Sequence, residues 1–454
     1  MPDNRSVKSD LFHQAFFTHI LLTGNVFLYE RSVMKYGLIG EHLGHSCSSE
    51  IHRMLGNPEY GLQEIDREKI DDWFASPAFS GINVTIPYKK NAFEHCDFVE
   101  ELAKDAGAVN CVVNKDGALY GYNTDCAGIE ATLDHAGIDV SGKTVLVAGR
   151  GGAAGAVNAV LRKRHADIVT VYHRPAEGCV LPELASEKFP DASVIINATP
   201  AGMYPNAEGQ SIDLKNFKNL EFVFDLVYDP LKTQLLQQAE ELGIPCSNGL
   251  RMLVMQAVKA HEHFMDTSVD ESVVIPILES LACQRINIVL TGMSSCGKST
   301  LGKAAADKLG LEFIDMDTEI EKEIQMSIPE YFEAYGEAAF RDVETAVARR
   351  LSLLHGKVIA TGGGIIERPE NIPLLKRNGI IVFIDRSPEL LVKDDEGRPM
   401  MKKGFDALYT RRKPVYENTA DFIVSNNSDE ADGLETLETL VNSPAFIHIR
   451  KETI

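Results

Sequence analysis

The sequence predicts an α/β protein built on parallel sheets, and two observations carry that prediction. From residue 34 onward, short apolar runs alternate with amphipathic stretches at helical spacing, the pattern of strand–helix–strand units. Twice, an apolar run feeds straight into a glycine-rich loop that opens a helix, at "TVLVAGRGGAAGAVNAVLRKR" from Thr144 and at "INIVLTGMSSCGKSTLGKAAADKLG" from Ile286. The loops differ in spacing, and only the second ends in Lys-Ser, so they mark two different nucleotide-handling units rather than a repeat. A length of 454 residues suits two to four domains.

The elements follow in order. "KYGLIG" reads as a strand, "SSEIHRMLG" as a helix, "INVTIP" as a strand and "YKKNAFEHC" as a helix. "AVNCVVN" and "ALYGYNTD" read as paired strands about the turn "KDG". The first glycine loop follows, then strands at "DIVTVYHR", "SVIINATP" and "FVFDLVYDP", and helices at "TQLLQQAEELG" and "GLRMLVMQAVKAHEHFM". Strand, glycine loop, helix and strand in succession are half of a doubly wound dinucleotide (Rossmann) fold. The expected organisation is an α/β substrate domain over 34–135, joined by the helix at about 249–265, and a Rossmann domain over 136–248. A polar linker is expected over 266–284, leaving the two halves free to move, then a P-loop domain with a parallel sheet over 285–454. Residues 1–33 leave two readings, an N-terminal extension outside the folded core or a structured part of the chain. Their apolar run is too interrupted for a membrane span and lacks a cleavage site for secretion.

Charge and cysteines narrow the function. A formal net charge of -21 argues against a nucleic-acid partner, which needs a basic face. The eight cysteines contain no C-x-x-C pair, which points to reduced thiols in the cytoplasm rather than a zinc site or disulfide framework. No membrane partner is expected.

In the first loop, Gly149, Gly151 and Gly152 let backbone amides approach a pyrophosphate, and Ala153 opens the helix whose N-terminus favours negative charge. A tight strand-to-helix turn is the alternative. After the next strand an NAD site usually carries an acidic residue for the ribose; here Arg174 stands there, which suits a 2′-phosphate and hence NADPH. In the second loop, Gly292 and Gly297 free the backbone to wrap phosphate oxygens. Lys298 neutralises the β- and γ-phosphates of a nucleotide, Ser299 can ligate Mg2+, and Thr300 belongs to the same nucleotide-binding loop; a structural loop is the alternative.

Seven motifs in the first half, "GLIGEHLGHSCSSEIH", "GINVTIPYKK", "AGAVNCVV", "YNTDCAG", "NATPAGM", "DLVYDPLKT" and "NGLRMLVMQA", together resemble the shikimate dehydrogenase family over about 34–265. The resemblance implies NADPH-dependent reduction of 3-dehydroshikimate to shikimate. It implies that Ser46 and Ser48 bind the substrate carboxylate, that Thr85, Asn110, Tyr228 and Gln256 contact the ring, and that Lys89 and Asp125 form the catalytic pair. Taken alone, Lys89 could be a solvated surface lysine, and "NTD" could cap a helix. Two positions depart from the family pattern. Ser49 stands where proline is usual, and Arg150 replaces an alanine in the glycine loop.

In the second half, "FIDMDTEIE", "EAAFRDVE", "VIATGGGII", "EGRPMM" and "YTRRKPVY" resemble shikimate kinase over about 285–445. The resemblance implies transfer of the ATP γ-phosphoryl to the 3-hydroxyl of shikimate. It implies that Asp315 helps hold Mg2+ through water and that Asp317 receives the hydroxyl proton. It further implies that Arg341 and Arg412 clamp the carboxylate, that Gly363 contacts the ring hydroxyls, and that Arg398, in a lid, stabilises the transferring phosphoryl. Singly, Asp317 could cap a helix and Arg412 could belong to a solvated cluster, Arg411-Arg412-Lys413. The two resemblances describe consecutive steps of aromatic amino-acid biosynthesis on one chain. Three rivals compete with that reading. The first half could be an NAD-linked quinate/shikimate dehydrogenase. The second could be a degenerate ligand-binding module, or a kinase for gluconate or a nucleoside monophosphate.

Overall fold

The structure, a computed structural model, describes residues 34–44, 46–391, 404–427 and 430–441. The segment 1–33 and the expected lid arginine, Arg398, lie outside the described residues.

Among the described residues the chain forms three sheets. The first holds β1 (Tyr36–Gly40), β2 (Tyr60–Glu64), β3 (Gly81–Val84), β4 (Phe98–Val99), β5 (Cys111–Lys115) and β6 (Ala118–Tyr122), in the order β2-β1-β3-β5-β6-β4. It is mixed, because the "KDG" turn joins β5 and β6 as an antiparallel hairpin and β5 also runs antiparallel to β3. The second holds β7 (Thr144–Ala148), β8 (Asp167–Val171), β9 (Cys179–Val180), β10 (Val194–Asn197), β11 (Phe222–Asp225) and β12 (Cys246–Ser247), in the order β12-β11-β10-β7-β8-β9. All its pairings are parallel. The third holds β13 (Asn287–Thr291), β14 (Glu312–Asp315), β15 (Lys357–Ala360), β16 (Gly379–Asp385) and β17 (Phe422–Ser425), in the order β14-β15-β13-β16-β17, again all parallel.

Strand order places both glycine loops. β7 lies between β10 and β8, and β13 between β15 and β16. In each case the chain crosses to opposite sides of the strand, so a crevice opens at its carboxyl end, and there the glycine loop sits. The apolar runs of β7, β10, β11 and β13 are fully buried, as strands covered by helices on both faces must be.

The stretch read as a polar linker contains a 15-residue helix, Glu271–Arg285. The Asp270 side chain caps it, accepting from Ser272 N at 2.9 Å. Val274, Ile277, Leu278, Leu281 and Ala282 form one buried stripe at i, i+3, i+4, i+7 and i+8. The flanking "DTSVDES" hides that periodicity in the sequence. The stripe packs in the same apolar cluster as Val254 and Val258 of the preceding helix and the strand residues Ile288, Val289 and Ile381, so one core runs from the first half into the second.

Polar contacts reinforce that junction, contrary to the expectation of freely moving halves. Leu231 N donates to Asn378 Oδ1 at 2.8 Å, and Lys232 N donates to Arg377 O at 2.9 Å. Arg377, 2% exposed, donates to Glu208 Oε1 at 2.7 Å, and Arg349 shares that carboxylate at 3.1 Å. His355 meets Asp229 at 2.9 Å. Backbone hydrogen bonds and a buried guanidinium thus link the two halves across the junction.

Candidate active sites

In the first half, β3 delivers the chain through Thr85, Ile86 and Pro87 to the helix Lys89–His95. Pro87 precedes the helix, and Lys89 is the helix's first residue. Its Nζ lies 2.6 Å from Asp125 Oδ2, and both side chains are largely shielded. Asp125 is in the first turn of the helix Thr124–His135 but does not cap it; its other oxygen accepts from Asn110 Nδ2 at 2.9 Å. Asn110 Oδ1 in turn accepts from Thr124 N at 2.7 Å. Neither bland alternative, a solvated Lys89 or a capping Asp125, describes this geometry.

Lys89 stands where two cavities meet. One, of about 640 Å3, is lined by Ser46, Ser48, Thr85, Asn110, Asp125, Tyr228 and Gln256, which brings together every residue the resemblance assigned to the substrate. The other, of about 680 Å3, is lined by Gly149 to Gly152 and by the first turn of the helix Gly152–Lys163. Lys89 and Ile86 line both. Ser48 N donates to Ser46 Oγ at 3.2 Å, which sets the two hydroxyls side by side. Burial pushes the Tyr228 phenol up to about 12, so its OH stays a neutral donor. Asn83 and Tyr60 escaped the sequence reading. Asn83 lines the substrate cavity, and the Tyr60 OH donates to its Oδ1 at 2.8 Å. An alternating strand pattern does not reveal such a contact.

The glycine cradle fits a dinucleotide. Gly149 has φ +117°, and a Cβ there would lie 2.9 Å from Ala198 O. A Cβ on Gly151 or Gly152 would meet nothing within 4 Å, so that side of the loop is open to a ligand. Ala153 follows in the first helical turn. Arg174 is exposed in the turn after β8 and does not line the 680 Å3 cleft; Arg150 does, with its guanidinium 5.5 Å from the Tyr172 ring centroid.

In the second half, β13 ends at the loop Gly292–Gly297, where the two glycines take φ +140° and +98°. The helix Lys298–Leu309 follows. Lys298 is buried, and its Nζ donates to Gly292 O at 2.9 Å and Met293 O at 2.8 Å, drawing the loop into a ring. Ser299 Oγ donates to Asp315 Oδ2 at 2.6 Å. Thr300 is exposed beside it. Asp315, not Asp317, is the N-cap of the helix Met316–Ile324, accepting from Asp317 N at 3.1 Å. Asp317 is left facing the glycine run after β15.

That run explains itself sterically. A Cβ on Gly362 would lie 2.7 Å from Asp317 Oδ1, one on Gly363 would lie 3.0 Å from Ser294 Oγ of the loop, and one on Gly364 would lie 2.1 Å from Arg341 Nη1. Three glycines admit a carboxylate, the phosphate loop and a guanidinium to one place. Arg341 is buried and donates to Glu344 Oε2 at 2.6 Å, with Glu337 at 3.5 Å. Burial raises the Glu344 carboxyl, and Arg341 opposes it. Arg412 is 3% exposed, unlike its neighbour Arg411, so it is not part of a solvated cluster. Its Nε donates to Glu367 Oε1 at 2.7 Å, while its Nη2 is buried without a partner. Burial works to raise the Glu367 carboxyl, but Arg412 and Arg411 together hold it below the usual range. An orphaned buried guanidinium N–H fits an anionic ligand. Glu344 was legible as an i, i+3 partner of Arg341. Glu367 had no local signal.

Among the described residues no three His, Cys, Asp or Glu side chains cluster to hold a metal by themselves. The Ser299–Asp315 pair beside the phosphate loop suits a cation whose other ligands are phosphate oxygens. Among the described residues no helix is long and apolar enough to cross a membrane.

Comparison with known proteins agrees with this geometry. The family model of the shikimate dehydrogenase substrate binding domain matches residues 38–112, and that of shikimate kinase matches residues 294–441. The chain is 35% identical over 273 residues to a shikimate dehydrogenase (NADP(+)) of Clostridium perfringens, a match covering 55% of this chain and 98% of that protein. It is 42% identical over 175 residues to a shikimate kinase of Caldicellulosiruptor bescii, covering 37% of this chain and 98% of that one. The crystal structure of a chorismate mutase/shikimate 5-dehydrogenase fusion protein from Clostridium acetobutylicum superposes with a TM-score of 0.50 at 36% identity, over 54% of this chain and 96% of that chain.

Proposed function

The chain belongs to the shikimate dehydrogenase family over its first half and to the shikimate kinase family over its second, and from that premise we propose that it works in the biosynthetic direction. 3-Dehydroshikimate is reduced to shikimate in the first half, and shikimate is phosphorylated to shikimate 3-phosphate in the second. The observation that supports this most is the position of Lys89, paired with Asp125 and common to both cavities.

NADPH, held by Gly149, Gly151, Gly152 and Ala153 with Arg174 toward its 2′-phosphate, supplies the hydride when bound. Ser46 and Ser48 hold the substrate carboxylate, and Thr85, Asn110, Tyr228 and Gln256 orient the ring so that its carbonyl faces Lys89. As negative charge develops on that oxygen, Lys89 Nζ donates a proton to it. Asp125 keeps the ammonium aimed into the pocket.

In the second half, Gly292, Gly297, Lys298, Ser299 and Thr300 cradle ATP, and Ser299 and Asp315 would hold the Mg2+ that would offset phosphate charge. Arg341 and Arg412 hold the shikimate carboxylate, and Glu344 and Glu367 keep the two guanidinium groups in place. Gly363 leaves room for the ring hydroxyls. Asp317 accepts the 3-hydroxyl proton. Arg398, which lies outside the described residues, keeps the role the resemblance implies, stabilising the transferring phosphoryl.

Incubating the protein with 3-dehydroshikimate, NADPH, ATP and Mg2+ should yield shikimate 3-phosphate, and omitting ATP should stop the reaction at shikimate. If shikimate accumulates unphosphorylated in the presence of ATP, the second half only binds ligand and the two-step reading fails.

A further inference from the structure

Arg285 ends the helix Glu271–Arg285, at the junction between the halves, and lies behind the wall of the dehydrogenase substrate cavity. Its side chain is buried, at 9% exposure. One arm donates from Nη1 to Leu281 O at 2.8 Å, which anchors the guanidinium to its own helix. The other reaches back to the first domain, where Nη2 meets Cys47 Sγ at 2.8 Å. Cys47 stands between Ser46 and Ser48 and lines the cavity with them. The guanidinium carbon also lies 5.7 Å from the ring centroid of Tyr228, which approaches the cavity from the loop after β11. A single cation therefore touches residues from both domains that form the pocket.

Its charge has no local counterpart. No carboxylate pairs with Arg285 among the described residues, and its Nε is buried without a hydrogen-bond partner. A buried guanidinium without a counter-ion is costly, and an anion arriving nearby lowers that cost. Apart from Lys89, which is assigned to the reacting carbonyl, the pocket offers the substrate carboxylate the uncharged hydroxyls of Ser46 and Ser48.

We propose that Arg285 is a positioning residue for the anionic substrate of the dehydrogenase site. It holds the Cys47 turn and the Tyr228 ring in register and supplies the positive potential the two serines lack. The inference rests on the dehydrogenase reading above. A residue placed after the last strand of the dehydrogenase half thus tunes a pocket that both of that half's domains build.

The test is steady-state shikimate oxidation with NADP+ by the full chain, comparing Arg285→Gln and Arg285→Lys with the unmodified protein. Losing the positive potential behind the Ser46–Ser48 turn should raise KM for shikimate roughly tenfold in Arg285→Gln. kcat and KM for NADP+ should stay within about twofold, since neither the proton donor nor the glycine cradle is touched. Arg285→Lys should recover most of the loss, because a cation remains against Tyr228. Shikimate phosphorylation by the same variants should be unchanged, which also reports that they are folded. A KM for shikimate that does not move in Arg285→Gln overturns the proposal, as does a joint loss of kcat and NADP+ affinity, the signature of a merely structural brace. Should Arg285→Gln fail to fold, Cys47→Ala removes the anchoring sulfur and leaves the cation. It is expected to raise the same KM about threefold, and no change there overturns the positioning role. Absence of any shikimate oxidation by the unmodified protein would remove the underlying reading instead, a result distinct from an unchanged KM in an active variant.

Discussion

The loops after β7 and β13 occupy equivalent places in their sheets and are built in opposite ways. Gly151 and Gly152 face open space, with no lysine in their loop. The loop at Gly292–Gly297 instead closes around the buried ammonium of Lys298, which holds two of the loop's own carbonyls. The chemistry proposed for each half accounts for the contrast. The pyrophosphate of a dinucleotide keeps its charge throughout hydride transfer, so amides and a helix N-terminus suffice to hold it. A phosphoryl group in transfer redistributes charge, and a fixed cation at that point stabilises the transition state. The carboxylate sites proposed for the two halves differ in the same sense. The first half offers the hydroxyls of Ser46 and Ser48, whereas the second buries Arg341 and Arg412 and must bury Glu344 and half-bury Glu367 to hold them.

The sharpest way to break the comparison is to remove each lysine. Lys298→Ala should lower shikimate phosphorylation on the order of 10³-fold and leave reduction of 3-dehydroshikimate intact. Lys89→Ala should lower reduction on the order of 10²–10³-fold and leave phosphorylation intact. Spectrophotometric assays of the two reactions on the same preparations check this; a folded variant that loses both activities would show that the halves do not work separately.

The carboxylate sites should differ next. Arg412→Ala removes a buried charge and strands Glu367, so KM for shikimate in phosphorylation should rise roughly a hundredfold. Ser46→Ala removes one neutral hydrogen bond, so KM for shikimate in oxidation should rise only a few-fold. Equal losses in the two assays would show that the serine and arginine sites are energetically alike.

Acid should separate the halves as well. His52, stacked on Tyr60 at 3.8 Å with both ring nitrogens unpartnered, is held down to about 3 by burial and secondarily by His261. Burial and Lys259 bring His263 down to about 4. The folded state keeps both rings neutral, while the unfolded chain takes up protons as pH falls through the usual imidazole range near 6.5. Their contribution to stability is therefore present above about pH 6.5 and is lost as pH drops toward 4, by about 2 kcal/mol for His52 at pH 5. No histidine in the second half is buried among the described residues. Melting followed from pH 7 to pH 5 should show the first half weakening ahead of the second, and His52→Phe should flatten the slope. A slope unchanged in that variant would assign the acid sensitivity elsewhere.

The last of these effects concerns the cofactor. Arg174→Ala should weaken NADPH roughly tenfold while hardly changing NADH, through one lost charge-assisted contact to the 2′-phosphate. Equal weakening of both would move that role to another cation, with Arg150 on the cleft wall the first to examine.

By itself the sequence determined the α/β class, the two strand–loop–helix units and the family of each half. Those rest on local properties, namely apolar periodicity, glycine spacing and ordered motifs, which survive whatever the distant chain does. Through the family resemblance it also named Ser46, Ser48, Thr85, Asn110, Asp125, Tyr228 and Gln256 of the substrate cavity, though not Asn83. Tertiary structure decided the rest. Only packing shows that Arg412 is buried and Arg411 exposed, since adjacent residues on a helix point to different surroundings. Only the fold shows that Asp315 caps its helix, leaving Asp317 to face Gly362, or that Glu367 holds Arg412 from 45 residues away. The same is true of the junction helix, whose apolar stripe had no visible partner until the core cluster around β13 and the preceding helix covered it. Burial and ion pairing depend on which distant surfaces meet, and that information lies in no single stretch of the chain.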